Sequence, residues 1–293
     1  MSWLTQPWEH PFMQNALLAA MLVGLLCGVI GVFVVLKGLA FMGDALSHAI
    51  FPGIVIAYLF GANYLIGAMI AAIVVSILIG MASSHTHINN DTAIGVFFVG
   101  AFALGIALIS TQRTYTRDLT SFLVGSILGV SREDLYLTAG VGTIVLLVVA
   151  LTRRELTSIA FDPVFSQADG INVRLYEQLF FIMLSLAIVI SLQTVGNILV
   201  LALLVTPAAT ARLLTDRLVT MIGISAVLGG LSGLLGLYLS YHFSLASGAS
   251  VVLVATSFFI LAYLFAPQTG VVTLSVRRRL HYAHPERDTF QDT

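Results

Sequence analysis

The chain of 293 residues is 58% apolar and 9% charged, with a mean hydropathy of +1.00. A water-soluble domain covers its surface with roughly a quarter charged residues, so this composition excludes a soluble globular protein and makes lipid the solvent. The formal net charge of -1 gives no nucleic-acid signature, and the single cysteine, Cys27, excludes a disulfide framework or a thiolate metal cluster within one chain.

Residues 1–14 form an N-terminal segment with no basic start and no small-residue cleavage site, so it does not read as a cleaved signal peptide. Residues 15–266 form the transmembrane domain. Crossing a hydrocarbon core of about 30 Å takes about 20 helical residues. The clear runs are Leu17–Leu36, Tyr64–Ala82, Ala93–Ser110, Leu135–Leu151, Leu175–Leu192, Ile198–Leu214, Val219–Tyr241 and Leu245–Phe265. A shorter run, Ala49–Phe60, contains Pro52 and Gly53 and reads as a broken helix or the outer part of one that begins near Phe41. Backbone amides in lipid must be satisfied within their own segment, so the fold class is all-α, a polytopic transmembrane bundle of eight or nine helices. Leu119–Val130 is apolar but too short to span, and reads as a surface or re-entrant helix.

Basic residues set the orientation. Arg153, Arg154 and Arg174 flank one long loop, and Arg277, Arg278, Arg279 and Arg287 lie in the tail, residues 267–293, so both are expected in the cytoplasm. Arg212 and Arg217 fall on the same side if the two helices between Leu175 and Leu214 form an antiparallel pair. Arg113, Arg117 and Arg132 then fall outside, against the rule. Gly24, Gly28 and Gly31 in the first run and Gly229, Gly230, Gly233 and Gly236 in a late one read as packing residues that let helix backbones approach closely.

The informative segment is Gly43-Asp-Ala-Leu-Ser-His48. Asp44 and His48 stand four residues apart and share a helix face. Ionisable groups at membrane depth are costly and generally face a water-filled path or a partner. Carboxylate oxygen with imidazole nitrogen suits a divalent ion such as Mn²⁺, Fe²⁺ or Zn²⁺, and Pro52, lacking an N–H, frees the His48 carbonyl four positions earlier. On spacing alone a structural role stands beside this one, with Asp44 capping the helix start and His48 bonded to a neighbouring helix.

The other candidates are weaker. His85 and His87 sit in a polar loop and read as solvated, His242 ends a late span as an interfacial residue, and Asp91 is placed to cap the helix that follows it. The loop Ser158–Arg174 holds Phe161-Asp-Pro163 and Asp169-Gly170, which predict a short cytoplasmic helix with Pro163 in its first turn. Exposed Phe161, Val164 and Phe165 on it would need a partner protein, or else would lie on lipid.

Three motifs in order make the chain resemble the ABC-3 family of metal-ion permeases. They are Gly43-Asp-Ala-Leu-Ser-His48 with Pro52-Gly53, Asp91-Thr-Ala-Ile-Gly95, and the run from Val195 to Ala209 that contains Thr206-Pro-Ala-Ala209. The resemblance covers about Asn15 to Phe265 and takes in Ser121-Phe-Leu-Val-Gly125, Ser131-Arg-Glu-Asp134, Phe161-Asp-Pro163 and Ser247-Gly-Ala249. It departs at Asn197, where the family often has an apolar residue, and at Ala246, where Pro is common.

The resemblance implies a homodimeric permease of a bacterial plasma (inner) membrane. It would import Mn²⁺ first, then Zn²⁺ or Fe²⁺, with a cytoplasmic ABC ATPase dimer and an extracytoplasmic metal-binding protein. Asp44 and His48 match the family's pathway metal ligands. Phe161, Asp162, Pro163, Asp169 and Gly170, within the coupling segment 158–174, match the part that docks on the ATPase. The chain carries no cofactor of its own beyond the transported metal, and with no phosphate-binding Gly-x-x-x-x-Gly-Lys-Ser/Thr loop the ATP belongs to a separate subunit. The rival reading is a secondary metal transporter driven by an ion gradient, with Asp44 carrying protons or Na⁺. An intramembrane enzyme is disfavoured, because neither His-Glu-x-x-His nor Gly-x-Ser-x-Gly occurs.

Overall fold

The computed structural model describes residues 6–85, 89–111, 127–267 and 270–273. The expectations for His87, for residues 119–126, for the Ser121–Gly125 motif, for Arg113 and Arg117 and for the tail arginines lie outside these residues. The helices in chain order are α1 Pro11–Leu36, α2 Ala40–Ala49, α3 Phe51–Leu59, α4 Tyr64–His85, α5 Asn90–Ser110, α6 Arg132–Leu151, α7 Arg153–Phe161, α8 Pro163–Ala168, α9 Val173–Val195, α10 Asn197–Leu214, α11 Leu218–Phe243 and α12 Ser247–Phe265. Among the described residues there are nine candidate spans, with α2 and α3 together making one from Ala40 to Leu59. The ambiguous run is therefore the second half of a full crossing broken at Ile50.

α1 is the hub. At 26 residues it is about 39 Å long, and it starts at Pro11, six residues before the apolar run suggested, because Pro at the first helical position has no amide to leave unpaired. It packs against α6, α9, α10 and α11. A Cβ on Gly24 would overlap the Gly229 carbonyl of α11, and one on Gly229 would overlap that of Gly24. One turn along, Ser225 Oγ donates to the Gly28 carbonyl at 2.7 Å. Gly31 meets a different helix, α10, at the Leu204 carbonyl, while a Cβ on Gly230 would meet nothing closer than the Met21 carbonyl at 4.0 Å. Cys27 is buried beside Ser191.

Contacts at the helix ends agree with nine crossings. At one end Trp8 Nε1 donates to Tyr238 Oη, Asn15 to the Val130 carbonyl, and Gln193 to Asp134. At the other, Lys37 pairs with Glu177. The arginine-bearing connections α6–α9 and α10–α11 share the Lys37 side, the grouping that the positive-charge rule expects. Arg132 remains the exception among the described residues.

Between α6 and α9 the expected short helix is α8, and a second amphipathic helix, α7, precedes it. Asp162 ends one and caps the other, its Oδ1 accepting from the Phe165 N–H at 2.9 Å. α8 closes with the Gly170 amide on the Gln167 carbonyl and the Ile171 amide on that of Ser166, a Schellman arrangement that needs the positive φ of Gly170, +84°. Replacing Asp162 with Ala is expected to cost about 1 kcal/mol of local stability. Faster amide exchange at Phe165 and Ser166, with the spans unchanged, is the measurement that checks it.

Candidate functional site

The site begins with how α1 hands over to α2. Lys37 ends α1, Gly38 takes φ +69°, and the amides of Gly38 and Leu39 close on the carbonyls of Val35 and Val34. The chain thus reverses in three residues and enters α2 directly. Gly43 then lets α2 lie close against Leu204 and Leu201 of α10, because a Cβ there would crowd both leucine side chains. Met42, Ala45, Leu46 and Ala49 are buried, leaving one face for Asp44 and His48.

On that face His48 Nε2 stands 3.6 Å from Asp44 Oδ1, with the side chains 34% and 40% exposed respectively. This separation is outside hydrogen-bonding range, so each group keeps lone pairs for a third party. The site wall opposite is aromatic. The His48 ring lies 5.9 Å from Phe98 and 5.7 Å from Phe102 of α5, and Phe41 meets Phe98 edge-on. Asp44 lies in the middle of α2, four residues past its start, so it does not cap the helix. Ser47 Oγ donates to the Asp44 carbonyl rather than to the carboxylate.

Just beyond, the helix breaks. Pro52 occupies the first turn of α3 and has no amide for the His48 carbonyl, towards which the Ile50 amide turns instead. α3 leans on α4 where Gly53 and Gly67 meet backbone to backbone. The bundle therefore holds an acid, an imidazole and an under-used carbonyl at the break in one span, 72% of which is buried. Among the described residues no three His, Cys, Asp or Glu side chains gather into a metal cluster. One copy thus offers two side-chain ligands, and a bound dication would take its other donors from water, backbone or a second copy.

The remaining candidates lie apart. Asp91 sits inside the first turn of α5, with Asn89 at the cap position and no side-chain cap bond. It complements the helix dipole without capping, because the helix begins earlier than the apolar run did. His242 ends α11 against the rings of Tyr238 and Tyr241. Phe161, Val164 and Phe165 are exposed at 67%, 76% and 64%, on the side of Lys37. Sequence reasoning missed Phe98 and Phe102, which carry no signal beyond apolar character, and the Lys37–Glu177 pair, whose signal was a lone Lys and a lone Glu beside two apolar runs.

The profile of the ABC 3 transport family matches residues 9–266. The chain belongs to the ABC 3 transport family. It is 49% identical over 265 residues to the manganese transport system membrane protein MntC of Halalkalibacterium halodurans, covering 90% of this chain and 91% of that protein. It is 37% identical to a Haemophilus influenzae protein named probable iron transport system membrane protein, over 90% of this chain and 97% of the other. The solved structure of PsaBC from Streptococcus pneumoniae in complex with Fab superposes with a TM-score of 0.80 at 37% identity, over 94% of this chain and 99% of that one. A family of transporters and nine apolar spans among the described residues make this ABC 3 chain a multi-pass membrane protein of helical permease type.

Proposed function

We propose that this chain is the permease subunit of an ATP-binding-cassette importer that carries a divalent transition-metal ion, manganese first, into a bacterial cell across its plasma membrane. The observation that carries the reading is the Asp44–His48 pair, close but unbonded on the face of a broken span, in a family whose relatives include manganese transport proteins. Asp44 is a pathway ligand through its carboxylate and His48 through its imidazole. Two copies would bring two carboxylates, which together offset the charge of one dication, and two imidazoles. Such a set leaves coordination positions to water, so the ion binds well enough to enter and loosely enough to leave.

The residues 15–266 are the permease domain, and the segment 158–174 is its coupling surface. Phe161, Val164 and Phe165 form an apolar knob held by the Asp162 cap and the Gly170 turn, suited to a groove in a cytoplasmic ATPase dimer. Asp162, Pro163, Asp169 and Gly170 shape that knob. An extracytoplasmic metal-binding protein delivers the ion from the other side.

His48→Ala is expected to lower uptake at least about tenfold. Zinc uptake is expected to fall further than manganese uptake, because imidazole contributes more to the affinity of Zn²⁺ than to that of Mn²⁺. The check is uptake of both radioactive ions by proteoliposomes holding the chain with its ATPase and binding protein. Equal wild-type uptake of both ions in the variant would remove His48 from the path.

A further inference from the structure

The Lys37–Glu177 pair belongs to neither the Asp44–His48 site nor the coupling surface, yet its two members sit on helices that the chain joins to one and to the other. Lys37 Nζ is 3.1 Å from Glu177 Oε1, and the lysine side chain is only 8% exposed against 31% for the glutamate. The same ammonium lies 5.9 Å from the centre of the Phe180 ring, which is itself buried. Beside Arg212–Asp216, where the arginine side chain is 43% exposed, this is the pair whose basic side chain is largely withdrawn from water. A charge withdrawn from water in this way is costly unless its partner stays in place.

Its position in the chain gives the pair a use. Glu177 is in the second turn of α9, which follows α8 after the Gly170 corner. Lys37 ends α1, and the Gly38 turn joins it within two residues to α2, the helix of Asp44 and His48. The cytoplasmic segment thus connects through backbone to Glu177, and the metal helix connects through backbone to Lys37. Among the described residues the pair itself is the ionic link between these two ends. α9 also packs along α2 directly, so a strut at the cytoplasmic end makes the two helices move as one body.

We propose that Lys37 and Glu177 form a strut that stays closed through the transport cycle and passes movement of the coupling segment to the helix bearing Asp44 and His48. They are positioning residues, acting through α2. The proposal rests on the reading of this chain as an ATP-driven metal permease. Wild-type uptake that requires ATP establishes that reading in the same experiment, so its failure is visible apart from the strut.

The test is manganese uptake per ATP hydrolysed in proteoliposomes of the full complex. Glu177→Gln is expected to keep ATP hydrolysis while uptake per ATP falls at least about tenfold, and the exchange Lys37→Glu with Glu177→Lys is expected to restore at least about half of it. A merely structural pair would lower hydrolysis and uptake together and leave their ratio unchanged, which would overturn the proposal. Wild-type uptake per ATP in an assembled Glu177→Gln protein would overturn it too. If Glu177→Gln does not assemble, Lys37→Cys with Glu177→Cys joined by a short thiol-specific cross-linker decides the matter, since buried Cys27 is shielded from the reagent. A strut predicts that the cross-linked complex still transports. Loss of uptake that reductive cleavage of the cross-linker reverses would show a pair that must open, and the proposal would fall.

Discussion

Asp44→Asn will reduce manganese uptake by about 100-fold or more while the protein still assembles with its partners. The substitution keeps shape and removes only charge. At 4 Å and an effective dielectric of about 20, one unit charge is worth about 4 kcal/mol to another, and a dication doubles that before desolvation is subtracted. A net loss of about 2.7 kcal/mol, which is the 100-fold effect, is therefore a modest expectation. Nothing in the packing opposes the change, because Asp44 caps no helix, its side chain is 40% exposed, and its one ionisable neighbour among the described residues is His48 at 3.6 Å. The check is uptake alongside detergent-solubilised assembly and ATP hydrolysis. A variant that assembles and transports like wild type would make the carboxylate structural.

The second large effect is on folding. Gly229→Val will prevent stable accumulation of the protein, with a cost of about 3 kcal/mol or more. The obstacle at Gly229 is the Gly24 carbonyl, reciprocated from Gly24 to Gly229, and no rotamer change relieves a clash with backbone. α1 is the hub of the bundle, so moving it away from α11 also strips Ser225 from the Gly28 carbonyl. Gly230→Ala, one residue along, is expected to be neutral within about 0.5 kcal/mol, since a Cβ there would meet nothing closer than 4.0 Å. Membrane levels and thermal stability of the two variants, compared side by side, check the contrast. Equal behaviour would mean that the α1–α11 contact is looser than the backbone approach indicates.

The same contrast shows what a sequence can and cannot carry. Small residues in two helices announced close packing, but only the structure separates Gly229, where a Cβ would strike α1, from Gly230, where it would not. Hydropathy located eight spans because lipid imposes a long apolar run on each. It stumbled on the ninth for a physical reason. Gly43, Asp44, Ser47 and His48 lower the mean hydropathy of Ala40–Leu59 to 1.5, against 2.8 for the first span, so the residues of the candidate site also disguise their helix. Asp44 and His48 were legible as a pair from their spacing. Their aromatic surroundings were not, because Phe98 and Phe102 come from a helix some fifty residues away and look like any lipid-facing side chain. α7 was missed because its polar and apolar residues alternate around a short surface helix with no span-like run. The Lys37–Glu177 pair was invisible for a simpler reason, since a contact across 140 positions has no local pattern.

The most direct test of the central claim is manganese accumulation by proteoliposomes containing this chain, its ATPase and its binding protein. Wild type would be compared with the double variant Asp44→Ala, His48→Ala, and ATP with a non-hydrolysable analogue. Accumulation by wild type with ATP alone, and background levels for an assembled double variant that still hydrolyses ATP, is the predicted result. Wild-type uptake by the double variant, or uptake that follows an imposed ion gradient without ATP hydrolysis, would contradict it.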